Sequence, residues 1–280
     1  MLSETLFPRD WRHPENLDRV AAYIRKEFQQ ANGMVSEQEY KMCGNTYRNV
    51  MALFGPETKE RIVVGAHYDA AGELPGADDN ASGVAGLIEL AYLLGRSNAL
   101  PMQVELVAFT LEEPLVLGGP GNFRTPNGGS ARHAVLLKEQ GIPVRIMFSL
   151  EMIGFFRDAE NSQSFPLSVM KLFYPSRGNW IAVVGKLDQG LAVRRVKKAM
   201  RKTSTLPVYS LNAPKFVEGI DWSDHSNYWK AGYTAVMIGD TSFFRNHNYH
   251  KKEDTADTLD YDRMAMVVQG VYGAVIAFSH

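Results

Sequence analysis

Apolar residues recur along this chain with two different periods, and the alternation of the two outlines a fold. Within residues 16–30, Leu17, Val20, Ala21, Ile24 and Phe28 fall on one helical face and charges on the other, which predicts an amphipathic helix. Residues 35–42 and 46–54 read as strands, and 55–60, with Gly55 and Pro56, as a turn. Ile62, Val63 and Val64 form a short β-branched run that reads as a buried strand. Residues 81–94 follow as a helix with small residues at its start. Strands are predicted at 104–109, 144–150, 180–184 and 233–238. Helices are predicted at 130–140, 189–202 and 261–278, with a short one within 221–230. Residues 115–128 read as a loop, 155–179 as a long irregular excursion, and 241–257 as a polar, aromatic loop. Excursions of that length are commonly functional.

Strands alternating with helices argue an α/β fold with a central, mostly parallel mixed sheet covered by helices on both faces. No internal repeat, low-complexity tract or linker divides residues 1–280, so a single domain is expected.

Composition narrows the function. The chain has 30 Lys and Arg against 31 Asp and Glu, a formal net charge of −1, so nothing draws it as a whole to nucleic acid or an anionic membrane. Its one cysteine, Cys43, excludes an intrachain disulfide and fits a reducing compartment. Residues 1–8 have neither the basic start nor the apolar core of a signal peptide. No stretch approaches the roughly 18 apolar residues of a membrane span. The chain as it stands therefore reads as soluble and cytoplasmic, although an exported or periplasmic protein trimmed of its leader would read the same. No oligomeric state is encoded in the pattern.

The polar residues that interrupt this scheme gather at predicted strand ends. His67 and Asp69 end one strand, Glu112 and Glu113 the next, and Glu151 a third. Asp78 and Asp79 sit in the turn into a helix, and His250 lies in the loop after a further strand. Carboxyl ends of strands are where such sheets hold ligands. Acids so gathered repel one another, and a divalent cation is the simplest compensation. Imidazole and carboxylate donors suit zinc.

Taken together, six segments resemble the M28 zinc aminopeptidases: His67-Tyr68-Asp69, Gly76 through Gly83, Glu112-Glu113, Leu150-Glu151-Met152, Ser223-Asp224-His225, and Tyr249-His250 with Asp254-Thr255. They occur in that family's order. The resemblance implies a zinc-dependent exopeptidase acting on peptides. Asp79 would bridge two zinc ions, His67 and Glu151 would complete one site, and Glu113 and His250 the other, although one ion per chain is also compatible. Glu112 would be the general base, and Asp69 would orient His67. Tyr249, Tyr228 and Tyr174 are the hydroxyl candidates for binding substrate and stabilising the oxyanion. The family often has Asp at the position of Glu151, and Pro114 follows the Glu pair where a different residue is more usual.

Other residues keep plainer expectations. His13, His133, His247 and His280 read as structural. Asp78 and Asn80 read as holding the turn and capping the helix. Asp224 and His225 read as bracing an active-site loop, and Asp254 with Thr255 as fixing the loop of His250. The apolar positions at 264, 267, 268, 271 and 275 read as a core stripe. The substrate pocket is expected from 155–179 and 212–247.

Two other functions fit the same resemblance. Glutaminyl cyclases share the fold and use one zinc held by the equivalents of Asp79, Glu113 and His250. Their zinc histidine usually follows Trp, whereas Tyr249 precedes His250 here. A non-catalytic binding domain of this fold is the alternative from another class, but such domains typically lose ligands, and all five are present here with the base.

Overall fold

A computed structural model of the chain describes residues 1–97, 100–113 and 124–280. After an irregular N-terminal segment, helix α1 (Pro14–Gln30) begins with Pro14 in its first turn, where a missing N–H costs nothing. Strands β1 (Met34–Met42) and β2 (Asn45–Phe54) form an antiparallel pair. Strand β3 (Arg61–His67) leads through a wide turn at Ala77–Ser82 into α2 (Gly83–Gly95). Then follow β4 (Gln103–Phe109), α3 (Gly129–Glu139) and β5 (Val144–Glu151). The chain continues through β6 (Ile181–Lys186), α4 (Gly190–Thr203), β7 (Val208–Ala213), α5 (His225–Ala231), β8 (Ala235–Gly239) and α6 (Tyr261–Ser279).

All eight of these strands join one sheet in the order β1-β2-β4-β3-β5-β8-β6-β7. The central strands β4, β3, β5 and β8 run parallel. β1 and β2 meet their neighbours antiparallel, and β6 lies antiparallel to β8 but parallel to β7. The sheet is therefore mixed, with a parallel heart.

The continuous apolar runs of the central strands divide by the two-residue period of a strand. Ile62, Val64 and Ala66 of β3, Leu106 and Ala108 of β4, and Phe148 and Leu150 of β5 enter one core with α1, α2, α4 and α6. Val63, Val107, Phe109 and Met147 point to the opposite core, against α3 and α5. Both faces are covered, as the alternation of strands and helices predicts.

Three local expectations change. The helix predicted from residue 81 is preceded by the turn at Ala77–Ser82, in which Asp79 (φ −104, ψ 92) is not helical. Strand β7 was not predicted, because its middle residues are half-buried and polar and apolar side chains mix along it. The irregular stretch 155–179 contains one short 3-10 turn, Ser168–Leu172. Pro114 and most of the loop predicted at 115–128 lie outside the described residues.

Candidate metal centre

The parallel heart of the sheet delivers polar side chains to one edge. His67 is the last residue of β3, Glu151 the last of β5, and Glu112 and Glu113 lie just beyond β4. Asp79 stands in the turn between β3 and α2, and His250 in the loop after β8. The structure thus brings together all five candidate ligands and the candidate base.

Asp79 is the centre of the group. Its Oδ1 lies 3.4 Å from His67 Nε2 and its Oδ2 lies 3.1 Å from His250 Nε2. Each histidine has a second carboxylate: Glu151 Oε1 is 3.5 Å from His67 Nε2, and Glu113 Oε2 is 3.1 Å from His250 Nε2. Glu112 Oε2 stands 4.0 Å from His67 Nε2.

Backbone donors and neighbouring side chains fix this geometry. The Asp69 carboxylate accepts the N–H of Glu112 at 3.1 Å and of Glu113 at 3.0 Å. Its Oδ1 is 3.6 Å from His67 Nδ1, and its own carbonyl is 3.3 Å from that nitrogen. Asp69 thus holds the Glu pair more directly than it holds His67. The Asp254 carboxylate accepts the N–H groups of Asp78 and Asp79 at 3.0 and 3.1 Å, so this residue sets the bridging turn as well as its own loop. Asn80 Oδ1 accepts from Gly83 N and from Met152 N, and its Nδ2 donates to Leu150 O. It caps α2 and also ties the turn to the end of β5. Ser223 Oγ donates to Glu151 Oε2 at 2.6 Å.

Two glycines permit the close approach. Gly76 has φ 52, and a Cβ there would lie 2.3 Å from Asp79 O. A Cβ on Gly239 would lie 2.2 Å from Glu151 O. Neither position admits a side chain without moving the backbone of a candidate ligand.

The electrostatics are those of crowded, buried acids. Burial and the neighbouring Asp79 push the Glu113 carboxyl up to about 8. Burial, with Glu151 and Glu113 nearby, raises Glu112 well above the usual carboxylate range. Burial works against a charged His67, yet Glu151 and Glu112 raise it well above its ordinary value. Burial likewise opposes charge on His250, which Glu113 and Asp79 push up to about 11. Acids this crowded and buried hold their protons more tightly than free carboxylates, and a bound cation would relieve the same repulsion.

The donors fit such a cation. His67 Nε2, His250 Nε2 and Glu113 Oε1 are buried and have no hydrogen-bond partner. Unpaired buried polar atoms are costly and call for an explanation. Two donor sets, His67–Asp79–Glu151 and Asp79–Glu113–His250, each have their ligand atoms within 4.8 Å of one another. Nitrogen and carboxylate oxygen donors in threes suit zinc with an open position.

Beside this group lies a cavity of about 290 Å³ whose wall includes Asp79, Glu112, Glu113 and Glu151. Phe165, Met170, Tyr174, Trp180, Leu211, Trp222, Met237 and Phe243 make it largely apolar, and they come mainly from the two stretches predicted to line it. Tyr249 lines the cavity and stacks on the His250 ring, with centroids 3.8 Å apart. Tyr174 lines it too, but its hydroxyl donates to Ser210 O. Tyr228 does not reach the site. Helix α5 turns it into the core beneath the sheet, where it is fully buried with its hydroxyl 2.6 Å from His133 Nδ1. His225 donates from Nε2 to Ile220 O and braces the segment that carries Ser223.

An α/β sheet with histidine and carboxylate donors gathered at its edge has the form of an enzyme with a metal site. A model of peptidase family M28 matches residues 49–275, and the chain belongs to that family. The uncharacterized protein YfbL of Escherichia coli K12 is 45% identical over 278 residues, covering 96% of this chain and 83% of that one. A probable leucine aminopeptidase of Arthroderma otae is 25% identical over 217 residues, and this chain spans about half of its length, 51%. Among solved structures, the LapA aminopeptidase of Legionella pneumophila superposes with a TM-score of 0.76 at 20% identity, over 99% of this chain and 69% of that one. A glutaminyl cyclase of Bacteroides thetaiotaomicron, bound to N-acetylhistamine, gives 0.71 at 18% identity over 94% and 90%. These likenesses establish the shared fold, and that fold serves both aminopeptidases and glutaminyl cyclases.

Proposed function

We propose that this chain is a zinc-dependent aminopeptidase that releases N-terminal residues from peptides. The observation that carries this reading is the split of the Asp79 carboxylate, with one oxygen toward His67 and the other toward His250. Each histidine has its own further carboxylate, so a three-residue donor set stands on either side of one shared group. His67, Asp79 and Glu151 would hold one zinc, and Asp79, Glu113 and His250 a second. Bound zinc supplies Lewis acidity that polarises a scissile carbonyl and acidifies water.

Glu112 takes a proton from the attacking water and delivers it to the departing amine. Asp69 holds Glu112 and Glu113 in register through their backbone N–H groups. The apolar cavity receives the first side chain of the peptide and keeps bulk water from the reacting bond.

Cyclisation of an N-terminal glutamine uses the substrate's own α-amine and needs only the Asp79–Glu113–His250 set. His67→Ala separates the two reactions. A two-zinc aminopeptidase loses about one zinc per chain and most hydrolysis of aminoacyl amides. A cyclase keeps its zinc and its conversion of glutaminyl peptides. We expect the first result. Retention of all metal by the variant, or faster cyclisation than hydrolysis by the parent, overturns the reading. A zinc-loaded parent with neither activity is a binding domain.

A further inference from the structure

Arg9 lies in the irregular segment before α1, outside the residues that match the family model. It is fully buried. Buried arginines normally sit on carboxylates, but Arg9 forms no ion pair among the described residues and bonds only to carbonyls. Its Nε donates to Tyr68 O at 3.0 Å, its Nη1 to Pro75 O at 2.6 Å and Leu2 O at 3.2 Å, and its Nη2 to Gly76 O at 2.8 Å. In return, Ala70 N donates to Arg9 O at 3.1 Å. Tyr68 directly follows His67, and Gly76 stands three residues before Asp79. One planar, rigid group therefore closes both ends of the loop that joins two candidate ligands. The charges it faces at longer range are Asp69, Asp79, Asp254 and Glu113.

We propose that Arg9 is a positioning residue for the metal centre, its guanidinium pinning the His67–Asp79 loop so that both residues present their donor atoms together. The inference rests on the metal site proposed above. A guanidinium satisfies separated acceptors in one plane, whereas the ammonium of lysine is a point charge on a flexible stem. The N-terminal segment thereby becomes part of the site's support. Groups that orient metal ligands typically govern metal affinity by 10–100-fold.

The test is the rate at which zinc passes from the loaded protein to a chromogenic chelator, measured for the wild type, Arg9→Lys and Leu6→Ala. Leu6 anchors the same segment in the core, so its variant loosens the segment and leaves the guanidinium in place. Arg9→Lys is expected to release zinc about 10–100-fold faster, with Leu6→Ala near the wild-type rate. Equal rates for wild type and Arg9→Lys, or rates in both variants that follow their loss of thermal stability, overturn the proposal. A wild type that binds no zinc instead overturns the underlying reading of the site. Hydrogen exchange of the wild type needs no variant and decides the matter should Arg9→Lys not fold. Coupling is reciprocal, so zinc must slow exchange at Ala70 and in residues 1–13, and unchanged exchange there refutes the clamp.

Discussion

The carboxylate of Asp69 receives the backbone N–H of Glu113 at 3.0 Å, and that of Glu112 at 3.1 Å. A residue at the end of one strand thereby fixes the chain direction at the end of the next. Asp69→Asn keeps one acceptor oxygen and turns an NH2 group toward the other N–H. The Glu pair should shift, with kcat/KM for aminoacyl amides falling about 10–100-fold and zinc affinity falling with it. Steady-state kinetics beside calorimetric zinc titration checks this, and a variant with normal values for both refutes it.

Glu112 and Glu113 are adjacent yet should respond differently. Glu112→Gln should leave zinc content near normal and lower turnover by a factor of about 10² or more, since general-base catalysis typically contributes 10²–10⁴. Metal analysis of the purified variant decides the point. Metal lost in proportion to activity would make Glu112 a ligand.

Exhaustive chelation should abolish hydrolysis, and added zinc should restore it. The unpartnered nitrogens of His67 and His250 would then stand among crowded carboxylates without the cation that compensates them. Activity that survives chelation contradicts the proposed cofactor.

Acid stability should depend on a histidine outside the donor sets. Burial depresses His225 to about 4, although its bond to Ile220 O favours the charged ring. The unfolded chain, with an ordinary histidine near 6.5, takes up a proton first as pH falls. The contribution of neutral His225 is thus fully present above about pH 6.5 and is lost as pH falls toward 4, at a cost of about 2 kcal/mol between pH 7.5 and 5. His225→Gln retains a donor for Ile220 O and cannot titrate. Urea unfolding of the chelated proteins should show a smaller acid loss for the variant, and equal losses would refute the assignment.

Part of the candidate site was legible because His67, Glu112, Glu113 and Glu151 end apolar runs. Asp79 and His250 lie in polar turns and stood out as ligands only through the resemblance of their segments to the M28 pattern. Strand period and strand end together placed His67, Glu112, Glu113 and Glu151 on one edge, and the Ala77–Ser82 turn supplied Asp79. What remained hidden depends on packing between distant segments. Arg9 is a lone arginine in an irregular stretch, and nothing local marks it as buried. Tyr228 was misplaced because residues 225–231 are too few to reveal which face α5 turns inward. The role of Asp254 toward Asp79 crosses the whole sheet edge and leaves no periodic trace. Strand β7 lies at the sheet's edge, where half-buried side chains weaken the alternation that identifies central strands.

The proposed ligands follow one another in the chain from β3 to the loop after β8, with His250 last. A growing polypeptide holds four of the five long before the fifth is made. During synthesis the emerging chain can offer the His67 side of the pair but not the His250 side. On the proposed two-zinc reading, attack on peptides would therefore wait until the loop after β8 is made, and a translation product interrupted before that loop would lack a complete site.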